Sequence, residues 1–211
     1  MAGAMFFMSM ATFMPAFMMT NLAFSPERPV FLREQANKMY GVLPYFVAKI
    51  LSDLPSFIWP PTIFTLITFF GVGFTNEEGN FFIFWATIIM STLAGTSMGY
   101  LISTSISDGT IALQMAPVLV MPLALVGGFF RNQDDMPTWM RIYAYIAPFK
   151  YVFNIFARSE FEKSPYENTQ KFLDFLDIES SIQECWLYLG IIIACCLIMS
   201  GTMLKLTVSR F

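Results

Sequence analysis

Apolar positions along this chain neither alternate nor recur at amphipathic spacing. They run together in long blocks divided by short polar stretches, at residues 1–24, 41–74, 80–104, 110–130 and 186–206. A helix needs about 20 such residues to cross a hydrocarbon core. The pattern therefore predicts five transmembrane helices, and an odd number puts the termini on opposite sides. The second block is overlong, and Pro44, Pro55, Pro60 and Pro61 are expected to break or kink it. "TNEEGN" and "SISDG" form tight links on either side of the third block, and in the latter Ser107 or Asp108 suits the cap of the next helix. The opening run, "MAGAMFFMSMATFMPAFMMTNLAF", has neither the basic start nor the short core of a signal peptide.

Composition fixes the environment. The chain is 56% hydrophobic with 24 Phe and 16 Met, and only 13% charged, against roughly 45–50% apolar and about 25% charged for soluble domains. This is an integral, multi-pass protein of a plasma or organelle membrane, an all-α polytopic helical bundle forming one membrane domain over 1–211. A net charge of -3 gives no reason to expect a nucleic-acid partner. The absence of histidine removes His-based acid–base chemistry and His-ligated metals. No cysteine has metal-ligand spacing: Cys195 and Cys196 read as small apolar packers, and Cys185 as a free interfacial thiol or the site of an intermolecular disulfide.

Lysine and arginine set orientation. Arg28, Arg33, Lys38 and Lys49 fall, by alternation, on the same side as Lys205 and Arg210. The connection from Arg131 to Glu184 holds the other six basic residues, so the raw numbers tie. Density favours a cytosolic placement for the first group.

Within that group, residues 25–40 make an amphipathic helix. Leu32, Ala36, Met39 and Tyr40 share one face, and Glu27, Glu34, Asn37 and Lys38 lie roughly opposite. Pro29 suits its first turn and Gly41 its end. It is either a juxtamembrane anchor or a contact surface, because Val30 and Phe31 project to the polar side, where another protein would cover them. Lys49 and Asp53, four apart on one helical face, are an interfacial ion couple or a substrate site. Gln114 is placed to hydrogen-bond across the bundle or across a dimer.

Two strings carry a family resemblance. "ERPVFLREQANKMYGVLPYFVAKILSDLP" resembles the connecting helix and following span of the White, or G, subfamily of ATP-binding-cassette half-transporters. "GGFFRNQDDMPTWMRIYAYIAPFKYVFNIFARSEF" resembles that subfamily's fifth span, re-entrant helices and outer loop. The resemblance implies five of six spans, with the first span and the nucleotide-binding domain lying on a longer protein or another chain. Residues 25–40 would be the cytosolic connecting helix and 131–185 the outer loop with its re-entrant helices. No G-x-x-x-x-G-K-[ST] loop or LSGGQ-type signature occurs, so no catalytic residue, cofactor or metal is expected in this chain; ATP and magnesium would belong to the associated nucleotide-binding domain. The outer loop has no internal cysteine pair and no glycosylation sequon, so the disulfide and glycan of some relatives do not carry over.

The same resemblance implies roles. Glu27, Arg28, Val30, Phe31, Arg33 and Glu34 would couple the helix to the nucleotide-binding domain. Met8, Thr12, Pro15, Pro117, Met121 and Ala124 would line a substrate cavity, and Phe129 and Phe130 would form a valve above it, or else pack against a re-entrant helix. The implied partners are membrane lipids, a second half-transporter in a homo- or heterodimer, the nucleotide-binding domain, and a lipophilic sterol, lipid or xenobiotic cargo. A channel would need a polar lining, and an intramembrane enzyme would need paired ionisable groups in the spans. These are the alternatives from other classes.

Overall fold

A computed structural model describes residues 2–74, 79–106, 108–127, 137–161 and 181–208. Helices account for nearly all of them: α1 (Ala2–Ala36), α2 (Val42–Val72), α3 (Asn80–Ser105), α4 (Gly109–Leu125), α5 (Thr138–Ile146), α6 (Pro148–Phe161) and α7 (Ile182–Val208). No strand occurs among the described residues. Four helices, α1, α2, α3 and α7, are each long and apolar enough to span a bilayer. The fifth expected span is the shorter α4, whose 17 residues sit at the lower limit for crossing.

Helix α3 is the centre of the bundle, packed against α1, α2, α6 and α7. Its glycines let α1 approach closely. A Cβ on Gly95 would stand 2.5 Å from the Phe13 carbonyl oxygen, and one on Gly99 would stand 2.9 Å from that of Phe17. Small residues one turn apart bring two backbones together where lipid offers no hydrophobic push between helices. Hydroxyls reinforce the seam: Thr12 donates to Ser91 Oγ at 3.3 Å, and Ser91 donates to the Ser9 carbonyl at 3.4 Å. These pairings run in step, so α1 and α3 are parallel. Trp186 meets Thr87 near the start of α7, and Leu204 packs with Tyr100 near its end, so α7 runs the same way.

The prolines expected to break or kink the second block do not interrupt its helix. Helix α2 is unbroken through Pro55, Pro60 and Pro61, and α1 runs through Pro15, Pro26 and Pro29. Pro44 falls in the first turn of α2, where its missing N–H leaves no bond unmade. In an apolar surround the remaining backbone groups have no water to turn to, which favours keeping the helix. Pro29 is therefore interior to α1 and does not begin a separate helix.

Between α4 and α7, α5 and α6 are short and meet at Ala147, whose backbone is extended. Helix α6 is buried along almost its whole length, with Phe156 stacked on Phe84 at 4.7 Å. Ser181 and Glu184 cap α7 reciprocally: the Glu184 N–H donates to Ser181 Oγ at 3.2 Å, and the Ser181 N–H donates to Glu184 Oε2 at 2.9 Å. This cap starts α7 four residues before the expected 186. Cys185 is sealed in the core beside α6, so it is neither interfacial nor able to bridge another chain. Asp108 caps α4 by accepting from the Thr110 N–H at 2.8 Å, as its position predicts.

Candidate functional site

At 1.5 Å per residue the 35 residues of α1 span about 52 Å, against a hydrocarbon core of roughly 30 Å. One end of α1 must therefore reach well beyond the membrane. Charge identifies which end: Arg28, Arg33, Lys38 and Lys49 gather where α1 stops and α2 begins, with Lys205 of α7 at the same end. Residues 25–36 are thus the last turns of a continuous helix, with no joint separating them from the span.

The turn after α1 is fixed by backbone and side-chain bonds. Lys38 takes a left-handed conformation, φ 53°. The Met39 N–H reaches the Glu34 carbonyl and the Lys38 N–H reaches that of Gln35, the pattern of a Schellman stop. Gly41 caps the following helix and does not end the first one. Gln35 Nε2 donates to the Tyr40 carbonyl at 2.8 Å, and the Tyr40 hydroxyl donates to Glu34. Burial first, then the hydrogen bond and charge of Glu34, push the Tyr40 phenol up to about 12, so it stays a donor at neutral pH.

An aromatic stack locks α1 onto α2. Phe31 lies 4.3 Å from the Tyr45 ring, nearly parallel, and Tyr40 completes the cluster at 5.7 Å from Tyr45 and 6.3 Å from Phe31. Phe31 is 1% exposed and Val30 is 54% exposed, so of the two residues expected to project outward only Val30 does. The predicted face is rotated because Phe31 finds a partner in Tyr45, which helical periodicity within 25–40 cannot reveal.

Beside the stack runs a chain of charged groups through three helices. Lys49 Nζ is 2.7 Å from Glu27 Oε1 and 3.4 Å from Asp53 Oδ1, and the Tyr100 hydroxyl donates to Asp53 Oδ2 at 2.5 Å. The Lys49–Asp53 couple expected from spacing is present, tied outward to α1 and inward to α3. Arg28, next to Glu27, is 5% exposed, and its Nε and Nη1 find no acceptor among the described residues. Arg33 is exposed. The ends of α1, α2 and α3 are thereby held as one block.

The six expected cavity residues divide. Thr12 and Pro15 line a groove of about 330 Å³ between α1 and α2, opposite Phe57, Pro60 and Phe64. Met8 and Ala124 are in the core, and Pro117 and Met121 are exposed on α4 beside the exposed Gln114. Within this single chain they do not form one wall. Phe129 and Phe130 lie outside the described residues.

Residues 1–161 match the family of ABC-2 type transporters. The chain belongs to that family. This ABC-2 membrane domain is 35% identical over 150 residues to protein white of Drosophila melanogaster, covering 71% of this chain and 22% of that protein. It is 29% identical over 136 residues to the ABC transporter ATP-binding protein/permease wht-1 of Caenorhabditis elegans, covering 64% of this chain and 20% of that one. It is also 29% identical over 155 residues to the broad substrate specificity ATP-binding cassette transporter ABCG2 of Sus scrofa, covering 69% of this chain and 24% of the relative. The domain thus spans about a fifth to a quarter of the length of these relatives, and its kinship with White and the G family is shown along most of its own length.

Proposed function

We propose that this ABC-2 domain is the membrane-spanning part of an ATP-driven exporter for lipophilic cargo such as a sterol, lipid or xenobiotic, working as a homo- or heterodimer. The observation that carries the coupling is the unbroken α1. One helix runs from Thr12 and Pro15 at the groove to Glu34 at the charged end. Displacement of the charged end by a nucleotide-binding domain would be transmitted along α1, because the Glu27–Lys49–Asp53–Tyr100 chain and the Phe31–Tyr45 stack resist local bending there.

The sequence has no phosphate-cradling loop, and this reading assigns ATP and magnesium to an associated nucleotide-binding domain, which would supply the work. The exposed Arg33 and Val30 offer that domain a docking surface, and the unpaired Nε and Nη1 of Arg28 would donate to a carboxylate if the surface opened. The exposed Pro15, Pro117 and Met121 are available to cargo or to a second protomer. Phe129 and Phe130 are proposed as the valve above them.

Glu34 is the residue on which to test coupling. In the complete transporter, Glu34→Ala should lower substrate-stimulated ATPase and export at near-normal surface expression. Because Glu34 also accepts from Tyr40, Tyr40→Phe is the control, removing that bond while keeping the carboxylate. Normal export with Tyr40→Phe and impaired export with Glu34→Ala supports docking, whereas equal impairment by both makes Glu34 a fastener of the turn.

A further inference from the structure

The outer faces of α2 and α7 leave an apolar groove that the proposed transport path does not use. It lies between the first turns of α2 and the last turns of α7 and has a volume of about 430 Å³. Phe46, Val47, Leu197 and Ile198 wall it, and Gly201 forms part of its floor. A Cβ on Gly201 would come no nearer than 3.5 Å to the Phe46 ring. No tight helix contact requires this glycine, and its missing side chain leaves the groove deep.

Two further observations indicate what fills it. In their most apolar stretches α2 and α7 bury 22% and 17% of residues, against 44% for α1 and 50% for α3, so this is the least covered face of the domain. At the rim, one turn beyond Gly201, Lys205 is exposed and makes no ion pair among the described residues. It stands at the end where Arg33 and Lys38 also gather, the level at which a span meets the headgroups.

We propose that this groove binds an anionic phospholipid, one acyl chain lying between α2 and α7 and the phosphate resting against Lys205. An apolar trough open to a bilayer takes an acyl chain, and an unpaired lysine above it favours a negative headgroup. The site rests on the domain's membrane placement and is independent of the cargo and of ATP coupling.

The experiment uses the complete transporter in mild detergent, equilibrated with phosphatidylserine or phosphatidylcholine, with retained lipid counted by native mass spectrometry. Wild type should retain phosphatidylserine preferentially. Lys205→Ala should weaken that retention about fivefold, the weight of one lysine near an anionic surface, and leave phosphatidylcholine unchanged. Gly201→Leu should fill the trough and reduce both lipids. Ile198→Trp, which fills it from an exposed position, does the same if Gly201→Leu misfolds. A photoactivatable acyl chain should label the stretch from Leu197 to Lys205. Unchanged phosphatidylserine retention in Lys205→Ala, or in a folded groove-filling variant, overturns the proposal. So does a cross-link showing another protein segment in the groove, or displacement of the lipid by inorganic phosphate alone. Lost lipid selectivity with intact export separates this site from the transport reading.

Discussion

Replacing Lys49 with methionine keeps most of the unbranched apolar stem and removes the cation between two carboxylates. Lys49 Nζ stands 2.7 Å from Glu27 and 3.4 Å from Asp53, with its side chain 14% exposed against 42% and 23% for the two acids. A fully exposed pair is worth about 0.2–1 kcal/mol, and removing one partner of a fully buried pair costs about 3–5 kcal/mol. A mostly covered cation with partly wet partners falls between, at about 2 kcal/mol. The loss should exceed that of Glu27→Gln, which leaves Lys49 paired with Asp53. Asp53→Asn added to Lys49→Met should recover part of it by removing the stranded charge, although Tyr100 keeps its acceptor. Thermal unfolding of the complete transporter measures the loss, and a double-mutant cycle between Glu27 and Lys49 isolates their coupling at about 1 kcal/mol. Wild-type stability of Lys49→Met, or a cycle additive within about 0.3 kcal/mol, would refute the claim that these charges bind α1 to α2.

Gly95→Val should prevent close packing of α1 on α3, since its Cβ would meet the Phe13 carbonyl at 2.5 Å; a loss of about 3 kcal/mol or failure to express is expected, read by surface level and unfolding midpoint. Lys38→Gly should stabilise the turn by about 1 kcal/mol, because glycine takes the left-handed φ of 53° without strain, and a lower midpoint would count against the Schellman stop. Phe129→Ala with Phe130→Ala should raise basal ATPase or uncouple it from cargo at normal surface level if the two rings form the valve, whereas a packing role predicts poor folding.

The membrane class, the helical blocks and the Lys49–Asp53 couple were legible because each depends on local composition or spacing. The same was true of the Asp108 cap. The apolar block alone set the expected start of α7 at 186, and the capping box of Ser181 and Glu184 moves it to Ile182. Of the break or kink expected at the α2 prolines, the break does not occur: a breaker rule drawn from water applies less where the backbone has no alternative partner, so α2 continues through Pro55, Pro60 and Pro61. The orientation of Phe31 and the reach of Lys49 to Glu27, 22 residues away, are tertiary facts. Neither leaves a periodic trace. The cavity residues, drawn from the resemblance and not from spacing, separate into groove, core and exposed positions within this chain.

Rigidity of α1 through the transport cycle is the central claim, and a spin-label distance within that helix tests it most directly. Phe7 and Val30 are both exposed, at 66% and 54%. They lie 23 residues apart in sequence, so their backbones should be separated by about 34 Å along the axis. With labels at both sites in one protomer of the complete transporter, that separation should stay constant between nucleotide-free and vanadate-trapped states while distances across the dimer change. Shortening on trapping would mean that α1 bends at Pro15, Pro26 or Pro29, and would contradict transmission through a rigid helix.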